Sequence, residues 1–297
     1  MQWLFFALLP RALWAINNVV DKALVVNKIR HASVYLFITV AASALVLVLV
    51  PFRGLATPSL GLVLLALFTG AIYTYGLWPY YRALTFEEAS RIVSLWHLTP
   101  IFVLLLSSLI IGERFGTYDF IAFALLVLGG FLISTRRSAG KFHVSAAVGL
   151  MLLSCLVFAL EIVLAKYVYL HMPYLDGFIW IRLGSVLALV PFLMASSFRS
   201  ALKDIFASLS TQVKGVVVGS EVMALGAIAS FEYAISQGSV SLVSALGGTQ
   251  SLFLLLYVAA LSFWKPEWLK EELAHGVLGL KLVAICLISV GVYLISI

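Results

Sequence analysis

The chain has 297 residues, of which 63% are hydrophobic and only 11% are Asp, Glu, Lys or Arg; soluble domains run near ~45–50% and about 25%. A water-facing surface is not built from that composition, and the mean hydropathy of +1.11 carries the same message: most of the exterior meets lipid. The net charge of +6 forms no basic stripe interleaved with aromatics on a polar background, so nucleic acid is set aside as a partner.

A helix that crosses ~30 Å of hydrocarbon needs about 20 mostly apolar residues. Scanning at that length predicts ten helices, over residues 2–25, 33–52, 60–82, 89–111, 118–135, 144–168, 177–195, 213–235, 239–264 and 277–296. The first lacks the basic start and small-residue cleavage site of a signal peptide and is read as a membrane helix. Long unbroken runs such as 120–134 argue against a barrel, whose strands alternate apolar and polar positions over ~10 residues. The connections are short. Residues 198–208, with Arg199, Lys203 and Asp204 among apolar neighbours, predict a short amphipathic helix lying in the interface. Cys155 and Cys286 both fall in apolar segments, which leaves neither a disulfide framework nor a zinc cluster to expect. No cofactor is expected either.

The two halves read as copies. Ala15 and Lys22 fall on Ala159 and Lys166; Ala83, Ser90 and Phe102 on Ala234, Ser241 and Phe253; Gly129 and Ser134 on Gly291 and Ser296. The fold class predicted is therefore all-α integral membrane, with ten transmembrane helices arranged as two inverted five-helix repeats, residues 1–138 and 139–297. An odd number of crossings per copy forces the copies to enter from opposite faces. That arrangement is a signature of secondary transporters, with the substrate site near the midplane between the copies.

The run Leu13-Trp14-Ala15-Ile16-Asn17-Asn18 leading to Lys22, and the run Glu88-Ala89-Ser90-Arg91-Ile92-Val93-Ser94-Leu95 continuing to Pro100 and ending in Gly112-Glu113-Arg114, resemble the drug/metabolite transporter superfamily, specifically the ten-helix permeases with two EamA-type halves. The sequence departs from that pattern at Ala15, at Ser251 in place of the second half's proline, and at Trp264-Lys265-Pro266. The resemblance implies secondary transport of small metabolites by alternating access, with substrates ranging over amino acids, sugars, nucleotides and drugs.

Ionisable groups inside spanning segments point to function, because a central Asp, Lys or Arg costs about 2.5–3.5 kcal/mol to insert. Glu161 lies deep in the sixth predicted helix at the position matched to Asn17. It reads either as a protonatable carboxylate for coupling or substrate-amine binding, or as a carboxylate satisfied by a neighbouring helix or a lysine. Glu221 and Glu232 are eleven residues apart, about three turns, and share a face; Glu232, close to its helix end, reads as interfacial. Arg182 reads as a side chain that snorkels from one turn inside the membrane. Arg11, Asn18 and Lys22 draw a polar stripe along the first helix, with Asn17 and Asp21 beside it, and such a stripe is expected to line a cavity.

His97 reads as a substrate or proton group or as a satisfied bundle histidine. Pro100 predicts a bend that is either a gating point or static. Tyr73, Tyr75, Trp78, Tyr80 and Tyr81 cap a cavity or form an interfacial belt. Gly129-Gly130 and Gly247-Gly248 predict close helix packing.

The expected pathway residues are Asn17, Asn18, Lys22, Tyr73, Trp78, His97, Glu161, Arg182 and Glu221, with Pro100 as the gate. The expected function is transport of a small polar or zwitterionic metabolite, with a lipid translocator or non-transporting scaffold as the alternative. The partners are that small molecule, the lipid bilayer and, as a candidate coupling ion, protons. The expected setting is a prokaryotic plasma membrane. No intramembrane enzyme is expected, since no His-Glu-x-x-His, Gly-x-Ser-x-Gly or clustered-Asp motif occurs. Orientation stays open: basic-loop counting places both termini outside, and the resemblance implies both inside.

Overall fold

The computed structural model describes residues 2–27, 32–83, 95–134, 146–261 and 278–296. These residues are helical, with no strand among them. The reason is elementary: hydrocarbon offers no partner to an exposed amide, so each apolar run must close its own backbone ladder.

In chain order the elements are α1 (Gln2–Asn27), α2 (Ala32–Ala42), α3 (Val50–Arg53), α4 (Leu60–Ala83), α5 (Thr99–Ile110), α6 (Thr117–Ser134), α7 (Ala146–His171), α8 (Tyr174–Leu187), α9 (Val190–Met194), α10 (Ser196–Ser208), α11 (Thr211–Gln237), α12 (Val240–Ala245), α13 (Thr249–Leu261) and α14 (Leu278–Ser296). A 3-10 stretch, Ser43–Leu49, joins α2 to α3, and another, Leu246–Gly248, joins α12 to α13. Among the described residues six helical runs are long and apolar enough to cross a membrane: Ser33–Phe52, Leu60–Ala83, Ala147–His171, Tyr174–Met194, Thr211–Gln237 and Val240–Tyr257. The chain is a multi-pass helical membrane protein.

Several runs that read as continuous in the sequence are interrupted. Pro51 and Pro191 open the short helices α3 and α9, and Pro100 opens α5 just after a turn at His97–Leu98. A proline at the first helical turn lacks only a donor that would have no partner there, so the break precedes it. The bend expected at Pro100 therefore sits two to three residues upstream, at His97–Leu98. Residues 84–94, which carry most of the second EamA-like run, lie outside the described residues.

Four packings organise the bundle: α4 along both α7 and α8, α1 along α11, and α6 along α14. The tightest is α4 on α8. A Cβ added at Gly70 would stand 1.9 Å from the Ile181 carbonyl oxygen, and one added at Gly184 would stand 2.1 Å from that of Leu67. Backbone meets backbone there, as small residues permit in lipid. The glycine pairs expected to allow close packing do so: a Cβ at Gly130 would lie 2.6 Å from the Gly248 Cα. The amphipathic segment forms α10, largely exposed apart from Phe198, whose ring packs on Phe37 and Phe192 at 5.5 and 5.7 Å.

Candidate functional site

The polar residues that composition forces into the bundle converge on a chamber of about 270 Å³, lined from α1, α4, α5, α7, α11 and α13. Each helix contributes the side chains that its 3.6-residue period puts on one face. From α1 these are Arg11, Trp14 and Asn17; from α4, Tyr73, Leu77, Tyr80 and Tyr81; from α7, Phe158, Glu161 and Ile162; from α11, Glu221, Ala224, Ile228, Phe231 and Glu232.

A buried ion cluster stands at one wall. Arg182 of α8 has no exposed surface. Its Nη2 donates to Glu232 Oε1 at 2.6 Å and lies 3.6 Å from Glu161 Oε1. The Tyr169 hydroxyl donates to the other oxygen of Glu232. The guanidinium lies over the Tyr73 ring, 4.6 Å from its centroid, and 5.6 Å from that of Phe178. One cation thus holds two carboxylates from two other helices, while Nε and Nη1 of Arg182 make no hydrogen bond. A cluster of this kind fixes the register of three helices, because a slide of any one of them leaves a buried charge without its partner.

Three further polar side chains of the chamber tie neighbouring helices together. Glu221 accepts from the Thr39 hydroxyl at 3.0 Å. Asn17 Nδ2 donates to the Ser220 carbonyl at 3.2 Å, tying α1 to α11 beside Glu221. Arg11 Nη2 donates to the Val243 carbonyl at 3.0 Å, and its guanidinium carbon lies 4.6 Å from the Phe231 ring centroid and 5.2 Å from that of Trp14.

Aromatic clusters flank the chamber. Trp96 meets Tyr80 edge to face at 4.9 Å and Phe158 at a tilt at 5.0 Å. On the other flank, Tyr233 meets Tyr174 and Phe6 edge to face at 5.3 and 4.7 Å. At that second end the chain is firmly tied. Lys166 Nζ donates to the carbonyls of Ile235, Ser236 and Gly238 at 2.9, 3.2 and 3.0 Å, capping α11 where its last carbonyls lack partners. Ser241 donates to Glu113 at 2.7 Å and lies 2.8 Å from the Ser107 hydroxyl.

Of the residues expected from sequence, Asn17, Tyr73, His97, Glu161, Glu221 and Pro100 line the chamber. Arg182 stands directly behind the wall, holding Glu161 and Glu232. The side chains of Asn18 and Lys22 lie outside the described residues. Three readings need correction. Trp78, expected on the pathway, is 48% exposed and out of phase with the face carried by Tyr73, Leu77, Tyr80 and Tyr81; Tyr75, exposed like it, takes the belt side of the two readings offered for the aromatic cluster. Arg182 does not snorkel: α8 starts at Tyr174, and a salt bridge from α11 meets the side chain inside the bundle. Glu232 is not interfacial but 3% exposed and ion-paired.

Arg11 lies on the polar stripe predicted for the first helix but not among the expected pathway residues; Trp14 enters the sequence reading only through the family-like run, and Phe231 not at all. The stripe was drawn through Arg11, Asn18 and Lys22, whereas the lining face runs through Arg11, Trp14 and Asn17. The matched repeat position of Asn17 and Glu161 was the signal that would have chosen the second face.

Fold and chamber together define a polytopic helical membrane protein with a cavity whose largely apolar and aromatic wall carries Arg11, Asn17, Glu161, Glu221 and Glu232. Residues 1–135 match the EamA-like transporter family, the stretch that carries the resemblance to EamA-type drug/metabolite transporters. A search of curated proteins finds no match. A crystal structure of another protein aligns over 99% of this chain and 96% of its own with a TM-score of 0.72 at 13% identity. At that identity the likeness is one of fold.

Proposed function

We propose that this protein is a secondary transporter that moves a small polar or zwitterionic metabolite by alternating access between two inverted five-helix repeats, residues 1–138 and 139–297. The observation that carries the reading is the chamber, which Arg11, Glu161, Glu221 and Glu232 from helices of both halves line together. Its size, just under the roughly 300–1,000 Å³ of drug-sized ligand pockets, suits a small solute.

The packing supports the repeat. If α1 corresponds to α7 and α4 to α11, the contact of α4 with α7 maps onto that of α11 with α1, and the contact of α5 with α7 maps onto that of α13 with α1; all four occur. The breaks also correspond, since His97–Leu98 interrupts the path into α5 and Leu246–Gly248 the path into α13. In alternating access one end closes while the other opens. On this reading the Lys166 cap and the Glu113–Ser241–Ser107 contacts are the ties that hold the end near Gly238 together. A lipid translocator is the second reading, and the central position of the polar groups disfavours it, because a lipid path keeps such groups at one rim.

The test starts with a thermal-shift screen of purified protein against amino acids, sugars, nucleotides and cationic drugs, because a ligand that binds the native state raises its melting temperature by mass action. The strongest stabiliser is then followed into proteoliposomes under an imposed pH gradient. We expect pH-driven accumulation by the wild type. In Glu161→Gln binding is expected to persist while accumulation collapses to the equilibrium level. Unchanged accumulation removes Glu161 from coupling, and absence of flux in the wild type removes the transport reading.

A further inference from the structure

Buried charges in proteins are paired, because a charge withdrawn from water without a partner is strongly disfavoured. The two arginines at the chamber obey this rule differently. Arg182 is balanced by Glu232 at 2.6 Å and by Glu161 at 3.6 Å. Arg11 is 7% exposed, yet among the described residues no carboxylate pairs with it. Its contacts are the Val243 carbonyl, through Nη2, and the rings of Trp14 and Phe231. Rings attract a cation through their quadrupole but bring no counter-charge. Its Nε has no hydrogen-bond partner at all.

The geometry around Arg11 leaves room for the missing partner. Gly247 lies opposite, where a Cβ would stand 3.8 Å from both the guanidinium carbon and Nη1. With no side chain there, that face of the guanidinium stays open to the chamber that Arg11 and Gly247 both line. The chamber's own acids stand elsewhere. Glu232 is held by Arg182 and Tyr169, Glu161 lies 3.6 Å from the same Arg182, and Glu221 is ten residues from Phe231 on α11, about 15 Å along the axis at ~1.5 Å per residue.

We infer that the ligand of this chamber supplies the counter-charge itself: a single oxyanion, carboxylate or monophosphate, received by the guanidinium fork of Arg11 with the adjoining part of the molecule against Trp14 and Phe231. An arginine presents several donors in a planar fork that fits the two oxygens of such a group. The remaining chamber acids, Glu161 and Glu221, make the space hostile to further acidic groups, so the ligand carries one oxyanion group and no second acid beside it. This inference deepens the transport reading and rests on it for the identity of the cavity, but its test reads binding alone.

The experiment is a thermal-shift and calorimetric panel on the purified full chain, in which aliphatic and aromatic amino carboxylates are each compared with their primary amides, and monophosphate esters with their parent alcohols. The expected result is that members of one oxyanion class stabilise the wild type while their neutral counterparts do not. Arg11→Gln is expected to weaken that binding roughly ten- to hundredfold, the loss of a charge-assisted hydrogen-bonded pair. Arg11→Lys, which keeps the charge but loses the fork, retains part of it and controls for misfolding. The carboxylate and phosphate arms distinguish the two sources of the oxyanion. Equal stabilisation by an acid and its amide, undiminished binding in Arg11→Gln, or silence of every oxyanion at millimolar concentration overturns the inference. Oxyanion binding without flux in proteoliposomes leaves Arg11 in its role and defeats the transport reading; flux of neutral or cationic members alone does the reverse.

Discussion

Arg182→Met is expected to destabilise the protein by about 3–5 kcal/mol, the penalty for removing one member of a buried ion pair and leaving the others behind. The side chain has no exposed surface, and it holds Glu232 at 2.6 Å and Glu161 at 3.6 Å. Its loss leaves two neighbouring carboxylates in an apolar bundle with only tyrosines about them. Neutralising the residue to which Arg182 is most closely bound tests the cause. The double variant Arg182→Met with Glu232→Leu is expected to recover more than half of the lost stability, because an ion pair replaced on both sides by apolar groups of similar volume is often neutral. The measurement is the melting temperature and monodispersity of detergent-purified protein, with the double-mutant cycle isolating the pair. A double variant as unstable as the single one would mean that Arg182 acts through packing on Tyr73 and Phe178 rather than through charge.

Gly184→Val is the second large effect, expected to cost at least ~3 kcal/mol and to remove most of the folded, monodisperse protein. The Cβ alone would lie 2.1 Å from the Leu67 carbonyl oxygen and 2.6 Å from the Leu67 Cα. Those atoms are backbone and have no rotamer to retreat into, so α4 and α8 must separate. Gly70 faces the same seam from the other helix, with a Cβ position 1.9 Å from the Ile181 oxygen. Once one substitution has parted the helices, the second meets less obstruction. Gly70→Ala combined with Gly184→Ala is therefore expected to cost less than the sum of the two single changes, a coupling that melting temperatures of the three variants would show. The seam adjoins the ion cluster, since Ile181 precedes Arg182 on α8, so both single changes are also expected to disturb ligand binding.

The helical membrane class was readable directly from composition, because 63% hydrophobic residues leave a chain no other solvent than lipid and lipid leaves the backbone few structures besides a helix. The EamA-like character of residues 1–135 was equally readable, in the runs around Trp14 and Glu113. Asn17, His97, Glu161 and Glu221, polar groups in apolar runs, and Tyr73 of the aromatic cluster all line the chamber.

Rotation and partnership were not readable. An apolar helix in lipid has weak amphipathicity, since both its faces are greasy, and the phase that sends Tyr80 inward and Trp78 outward is set by which neighbour it packs against. Glu232 and Arg182 each looked like a residue near a helix end; that they meet depends on α8 and α11 lying side by side, 50 residues apart in the chain. The same holds in reverse for Arg11, whose isolation from every carboxylate among the described residues is a property of the assembled bundle. Polarity is local and inherited from residue type, whereas charge balance is a sum over helices that come together only in the fold.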